Sequence, residues 1–347
     1  MTEEGREDNS WHPEDTDRPR IDWGLLRRAG RLVDIVGHTP AVRLDKLTKG
    51  RFTLIAKLEG LNPGGSVKDR TALAMVMDGI RRGVLTRERR ILDATSGNTG
   101  IGYAWIGAAL DIGVTLCVPA NASPERFAIL KAFGAEVIKT DPLEATDGSQ
   151  RVARQMKAED PDRWFYPDQY ANNANWRVHM RTTGPELWTQ SREALTHFVS
   201  VIGTTGTLVG SSRFFRTMGN TIRIVEVQPD SAIHGLEGIK HLPTVDVPEI
   251  YDPEAKDELI RVSTEEAQDM CRFVARLEGV LAGPSGGANL VAAMRVAERA
   301  REEKRHLVIG LLLPDSGTRY LHDPFWTGEG SSGEGGNTAG KDGERET

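Results

Sequence analysis

The chain has 347 residues, 38% apolar and 27% charged, with a formal net charge of −6. That is enough chain for two packed lobes, and no dominant basic surface is left for nucleic acid. No apolar run approaches the roughly 20 residues that span a bilayer, and the first thirty residues lack the apolar core of a secretion signal, so the sequence reads as cytoplasmic.

Residues 1–30 read as a mobile tail, rich in Glu, Asp, Arg and Pro, with Ile21–Leu26 as a short docking helix. Gly37–Leu44 is a turn leading into an extended segment, and His38 in it is a turn residue rather than a base. Strands and helices then alternate. Phe52–Leu58 is a strand and Asp69–Arg82 a helix; Ile91–Ala94 is a strand and Thr99–Leu110 a helix. Val114–Val118, with Cys117, is a strand; Pro124–Phe133 is a helix and Glu136–Lys139 a strand. Ser149–Ala158 is helical and Trp164–Tyr166 a short strand. Asn175–Gln190 reads as a helix with an interruption at Gly184-Pro185. Phe198–Ile202 is a strand, Thr207–Thr217 a helix and Ile222–Val227 a strand. Thr264–Leu277, with Cys271, and Gly287–Glu303 are helices, and Leu307–Leu313 is a strand. Two cysteines do not make a disulfide framework or a metal site, and both read as buried thiols.

Apolar strands separated by amphipathic helices predict an α/β protein with two open, twisted, mostly parallel sheets covered by helices on both faces. The two runs divide the chain into an N-terminal lobe, 31–172, and a C-terminal lobe, 173–326, with the site in the cleft between them. The Gly-, Glu- and Ser-rich residues 327–347 read as a disordered tail.

Ligands of open α/β sheets sit at the carboxyl ends of the strands, and the loops there are unusual. Asn62-Pro63-Gly64-Gly65-Ser66-Val67-Lys68 is a glycine-rich turn that delivers a lysine to a helix start, where an ammonium is electrostatically misplaced. A lone lysine of this kind is usually solvated. Thr95-Ser96-Gly97-Asn98-Thr99-Gly100 leaves backbone N–H groups and hydroxyls at the next helix start, an anion cradle; capping by Ser96 or Thr99 is the bland alternative. Gly203-Thr204-Thr205-Gly206-Thr207 has the same logic and is neither a nucleotide P-loop nor a dinucleotide fingerprint. Two anion cradles and a lysine turn suggest a phosphate-bearing cofactor with an anionic substrate. Ser285, in Gly283–Ala288, either caps a helix or points its hydroxyl into the cleft.

These segments, with Lys57-Leu58-Glu59, Gln169-Tyr170-Ala171-Asn172 and Gly283-Pro284-Ser285-Gly286-Gly287, occur in the order found in the cysteine synthase (O-acetylserine sulfhydrylase) family, which the chain resembles from about Leu32 to Trp326. Cystathionine β-synthase is a close relative of that family. The resemblance implies the fold of the tryptophan synthase β-like pyridoxal-phosphate enzymes, and pyridoxal 5′-phosphate as cofactor. It implies that Lys68 holds the cofactor as an internal aldimine and then serves as base and acid at the substrate Cα. It gives the cofactor phosphate to Gly203, Thr204, Thr205, Gly206 and Thr207, the ring oxygen to Asn98 and the pyridine nitrogen to Ser285. Thr95, Ser96, Gly97, Asn98, Thr99 and Gln169 would take the substrate carboxylate. A neutral serine at the ring nitrogen disfavours transamination and suits β-elimination.

The implied reaction is β-replacement on an activated L-serine, O-acetylserine or O-phosphoserine, through an aminoacrylate, with a sulfur nucleophile added to give L-cysteine. The sulfur source is sulfide, thiosulfate or a carrier thiocarboxylate. A homodimer and a mobile segment around 111–141 that closes over the substrate come with the family. His38, Asn173, Pro284 and Gly286 depart from its usual motifs and bear on substrate preference. Lys240 and His241 read either as a solvated pair or as cationic ligands for a phosphate or an acidic sulfur donor. The alternatives are a cystathionine-forming enzyme, a serine or threonine deaminase, a diaminopropionate synthase, or a non-catalytic descendant. Retention of Lys68, Asn98, Gln169 and Ser285 argues against the last.

Overall fold

A computed structural model describes residues 21–95, 97–219, 221–300 and 307–326. In chain order the elements are α1 (Trp23–Leu32), β1 (Ala41–Arg43), the one-turn α2 (Asp45–Thr48), β2 (Thr53–Leu58), α3 (Lys68–Arg81), β3 (Arg90–Ala94), α4 (Asn98–Leu110) and β4 (Val114–Pro119). Then come α5 (Pro124–Ala132), β5 (Glu136–Thr140), α6 (Ala145–Glu159), β6 (Trp164–Phe165), α7 (Asn173–Arg181) and α8 (Thr183–Gln190). The last are β7 (His197–Val201), α9 (Gly206–Thr217), β8 (Arg223–Pro229), β9 (Glu258–Val262), α10 (Thr264–Glu278), α11 (Pro284–Ala300) and β10 (Val308–Leu313).

Two sheets result, as the alternation of apolar strands and helices predicts. The larger has the order β1-β2-β10-β7-β8-β9 and the smaller β5-β4-β3-β6. Among the described residues only β1 runs antiparallel to its neighbour strand, with Val42 opposite Ala56. The central strands β4 and β10 are buried along their whole length, as strands covered on both faces must be. Helix α4 is correspondingly apolar on all sides and packs inside the smaller lobe, where Ile101, Tyr103 and Ile106 are at most 2% exposed. Each fully buried Leu or Ile in these cores contributes about 1.5–3 kcal/mol.

The structure redraws several boundaries. Residues 1–20 and 327–347, expected as tails, lie outside the described residues, but α1 occupies the end of the N-terminal segment. Asp22 caps it by accepting the Leu25 N–H at 2.8 Å, and Leu25 and Ala29 bury completely. Strands β1 and β2 fall within 31–172 yet belong to the larger sheet: β2 pairs with β10 from Thr53↔Val308 to Leu58↔Leu313. An apolar strand gains more between two strands than at an edge, and sequence order does not reveal that choice. The helix expected over 175–190 breaks at Thr182 (φ −127°, ψ −69°) rather than at Gly184-Pro185. Pro185 lies in the first turn of α8, where its missing N–H costs nothing. The sequence reading missed β9, and α11 begins at Pro284, so Ser285 sits inside the first turn of that helix rather than ahead of it.

A buried ionic network joins the start of α3 to the larger sheet. Arg70 donates to both carboxylate oxygens of Glu59, at 2.7 and 2.9 Å, and to both of Glu186 on α8, each at 2.7 Å. Lys57 on β2 reaches Glu186 at 2.7 Å and donates to the Thr39 carbonyl at 2.7 Å. Lys57, Glu59 and Arg70 are at most 1% exposed. Burial opposes ionisation of Glu186, but the hydrogen bonds and charge of Arg70 and then of Lys57 outweigh it and hold the carboxyl at about 2.

Candidate active site

The lysine turn is fixed from several sides. Asn62 accepts the Gly37 N–H at 2.8 Å and donates to the Glu59 carbonyl at 2.9 Å. Gly65 has φ +83°, which a side chain would strain. Asp69 accepts the Gly64 N–H at 2.7 Å and the Trp105 indole N–H at 2.9 Å. Burial raises the Asp69 carboxyl to about 6, with those two hydrogen bonds opposing the rise. The Val67 N–H reaches the Pro314 carbonyl at 2.8 Å, which ties the turn to the end of β10. Lys68 is the first residue of α3 and lines a cavity of about 680 Å³ between the lobes. Burial holds its amine below the ordinary lysine range, and the Asp315 carboxylate works in the other direction.

Thr95, Gly97, Asn98, Thr99 and Gln169 line the same cavity. Ser96 lies outside the described residues. Gly97 is the N-cap of α4, with no capping side chain, and the Thr99 hydroxyl instead donates to the Gln169 side-chain oxygen at 2.8 Å. The bland capping role for Thr99 is thus not what the fold uses. Asn98 donates to Asp315 at 2.7 Å and accepts from the Arg319 guanidinium. Asp315 lies two residues past the end of β10, is 3% exposed, and also accepts the Tyr320 hydroxyl at 2.6 Å. Burial raises its carboxyl, against the pull of Tyr320, Asn98, Arg319 and Arg126. The sequence reading did not single out Asp315, Arg319 or Tyr320. The available signal was an aspartate at the carboxyl end of a fully apolar strand.

The loop Gly203–Thr207 joins β7 to α9, and its Gly203, Thr204, Thr205 and Thr207 line the same cavity. Thr205 adopts φ 71° just before the helix, whose first N–H groups have no partner within it. A Cβ on Gly206 would stand 2.0 Å from the Asn175 side-chain oxygen, so that position takes only glycine. The Thr205 hydroxyl is buried with no partner among the described residues. Ser285 is 8% exposed and reaches the cavity from the first turn of α11. One turn on, Asn289 accepts the Val201 N–H at 2.7 Å and donates to the Leu312 carbonyl at 2.8 Å, which pins α11 to the ends of β7 and β10.

Lys240 and His241 also line the cavity. The Lys240 amine lies 4.8 Å from the centre of the Tyr170 ring, and burial lowers its affinity for a proton. His241 bonds Thr244 at 2.9 Å. Both are half-buried on the cavity wall rather than fully solvated. His38 is exposed in a left-handed turn (φ 49°) and is absent from the cavity lining, as a turn residue should be. Asn173 opens α7 and accepts the Trp176 indole N–H at 2.7 Å. Cys117 and Cys271 are both buried and free, and burial pushes their thiols up to about 11 and about 12. Among the described residues no cluster of metal-ligating side chains forms.

The wall thus offers an amine, two sets of N–H and hydroxyl donors, and a neutral hydroxyl. An orphaned Thr205 hydroxyl and a glycine-only approach at Gly206 mark the second donor set. This donor set fits a planar, phosphate-bearing aldehyde carrying a ring nitrogen.

Comparison with known proteins agrees. The family described as pyridoxal-phosphate dependent enzyme matches residues 32–311. A cysteine synthase of Aquifex aeolicus is 42% identical over 294 residues, 84% of this chain and 90% of that one. Cysteine synthase B of Escherichia coli is 36% identical over 84% of this chain and 94% of its own. Among solved structures, a cysteine synthase from Entamoeba histolytica superposes with a TM-score of 0.80 at 32% identity, covering 92% of this chain and 94% of that one. An O-ureido-L-serine synthase gives 0.81 at 32% identity, covering 87% and 96%. The chain belongs to the pyridoxal-phosphate dependent enzymes, in the cysteine synthase family.

Proposed function

We propose that the protein makes L-cysteine by β-replacement on an activated L-serine, with a sulfur nucleophile taking the place of the leaving group. The observation that carries this is the convergence of Lys68, of Thr95, Gly97, Asn98 and Thr99, of Gly203, Thr204, Thr205 and Thr207, and of Ser285 on one cavity, where each chemical need of that reaction meets a donor of the right kind. The bound cofactor supplies an electron sink that acidifies the substrate Cα–H.

The protein's own groups do the rest. Lys68 carries the cofactor and moves the Cα proton; burial favours the neutral amine that can accept it. Thr95, Gly97 and Thr99, with the second N–H of Asn98 and the side chain of Gln169, receive the substrate carboxylate and the cofactor's ring oxygen. The extended Gly97 and the Thr99–Gln169 bond keep these donors in place. Asp315 and Arg319 hold the Asn98 amide at both ends and so orient its remaining N–H. Gly203–Thr207 receives the phosphate. Ser285 meets the ring nitrogen with a neutral hydroxyl, which favours loss of a β-substituent over transamination.

Lys240 supports a second, finer reading. Its amine on the cavity wall suits an anionic leaving group or sulfur donor, so O-phosphoserine and thiosulfate are substrates alongside O-acetylserine and sulfide. Assembly of two copies and a cytoplasmic location are carried over from the resemblance to the cysteine synthase family.

The test is direct. Purified protein loaded with pyridoxal phosphate and reduced with borohydride should carry the cofactor on the peptide containing Lys68. O-acetylserine and sulfide should yield cysteine. Absence of cysteine from both activated serines, with sulfide and with thiosulfate, would overturn the proposal.

A further inference from the structure

The loop Gly203–Thr207 rests on α7, and the contact between them has a direction. Asn175 and His179 stand one turn apart on that helix and are 0% and 1% exposed. The Asn175 amide N donates to the Gln169 carbonyl at 2.7 Å and to the Thr204 hydroxyl oxygen at 3.0 Å. A carbonyl oxygen can only accept, so this end of the amide is its NH₂ and the other end is its oxygen. Thr71, one turn into α3, lies 3.2 Å from that oxygen and therefore donates its only hydroxyl hydrogen there.

The same Thr71 oxygen lies 3.2 Å from His179 Nε2. With its hydrogen already committed, Thr71 can only accept, so Nε2 carries the imidazole proton. Nδ1 is then an acceptor and takes the Thr183 hydroxyl at 2.8 Å. The Thr207 oxygen lies 3.3 Å from the same Nε2–H and shares it as a second acceptor. Burial first, and then the nearby Arg70 guanidinium, lowers the imidazole's affinity for a second proton, against the pull of Glu186.

We propose that Asn175 and His179 are positioning residues that fix the polarity of this loop. Each donates to a loop hydroxyl, Asn175 to Thr204 and His179 to Thr207, so both hydroxyls keep their hydrogens to donate into the cavity. An imidazole protonated on Nδ1 would instead accept from Thr207 and remove one of those donors. The arrangement selects a dianion that only accepts hydrogen bonds over a ligand that must donate. The inference rests on the reading of Gly203–Thr207 as the cofactor's phosphate loop. It adds what lies behind the loop and why its hydroxyls face outward as donors.

The first test reads the tautomer in the holoenzyme by ¹⁵N NMR, with the His179 signal assigned through His179→Gln among the eight histidines. A protonated Nε2 and an unprotonated Nδ1 from pH 6 to 8 are expected. A protonated Nδ1, or an imidazolium, overturns the proposal. The second test is a double-mutant cycle on the dissociation constant of pyridoxal phosphate, with thermal melts to show that each variant folds. His179→Leu should weaken binding about tenfold, the loss expected for one donor to a charged acceptor. His179→Gln, which restores an N–H near Nε2, should recover most of it. In a Thr207→Val background His179→Leu should add less than about twofold. Independent, additive losses overturn the proposal, and if His179→Leu does not fold, the tautomer alone decides. Parental cofactor affinity in Thr207→Val would overturn the phosphate-loop reading itself and the proposal with it, whereas an Nδ1–H tautomer overturns the polarity alone.

Discussion

Asp93 shows how a single buried carboxyl couples this site to pH. It lies on β3, two residues before Thr95, is 2% exposed, and accepts the Ala94 N–H at 2.7 Å. Burial raises its carboxyl to about 7, with hydrogen bonds from Ala94 and Tyr103 opposing the rise. The unfolded chain loses this proton near 3.8, so between about pH 4 and pH 7 the folded state binds more protons than the unfolded one. Stability therefore falls as pH rises through that window, by on the order of a few kcal/mol for one such group. Asp93→Asn should flatten the fall: its melting temperature should match the parent at about pH 4 and exceed it increasingly up to pH 8. Equal slopes for the two proteins would show that Asp93 titrates normally. Lys68→Ala should abolish covalent capture of the cofactor while leaving the melting temperature of the cofactor-free protein within a few degrees. Mass spectrometry after borohydride reduction and a thermal melt check the two halves. At this scale the sequence is legible where chemistry needs a special backbone. Glycine, threonine and serine at strand ends point to Lys68, Asn98, Thr204 and Ser285. It is silent about Asn175, His179 and Asp315, ordinary residue types whose meaning comes from neighbours as distant in sequence as Asn98 and Asp315.

Among elements, α3, α4, α9 and β10 fall within a residue or two of their expected bounds, because each has a strong apolar pattern and a glycine or proline near one end. Strand β9 did not stand out, because its alternation is weak: Glu258–Val262 buries only Ile260 and Val262. The break at Thr182 is set by the packing of α7 and α8, which local propensity does not encode. Gly206 makes the element-scale prediction. A methyl there would meet the Asn175 oxygen at 2.0 Å, so Gly206→Ala must push the start of α9 away from α7. Cofactor affinity should fall at least tenfold, with a smaller loss in melting temperature, because the damage is local to the donor set. Equilibrium dialysis against pyridoxal phosphate measures it, and unchanged affinity would show that the loop can shift without consequence.

For the whole molecule, the Lys57–Glu59–Arg70–Glu186 network joins β2, α3 and α8 where the larger sheet meets the lysine turn. Removing the guanidinium leaves the buried Glu59 carboxylate with no cationic partner and Glu186 with Lys57 alone. Arg70→Ala should cost about 3–5 kcal/mol, far more than loss of a surface pair. Urea unfolding measures it, and a loss below about 1 kcal/mol would mean that water enters and screens the network. The exposed pair Arg43–Asp45, with side chains 61% and 65% exposed, is the matching control and should be near neutral.

The pairing of β2 with both β1 and β10 has a consequence for how the protein is made. The smaller sheet is one uninterrupted stretch, from Arg90 to Phe165, and can assemble as soon as it leaves the ribosome. The larger sheet cannot. Its middle strand is Val308–Leu313, the last strand among the described residues, and it must slide between β2, synthesised some 250 residues earlier, and β7. Until then β2 waits with one apolar edge unmatched, and a nascent chain stalled before Val308 lacks Leu312, Pro314, Asp315 and Tyr320 from the cavity lining and the Pro314 carbonyl that ties down the lysine turn. The completed site therefore waits for β10.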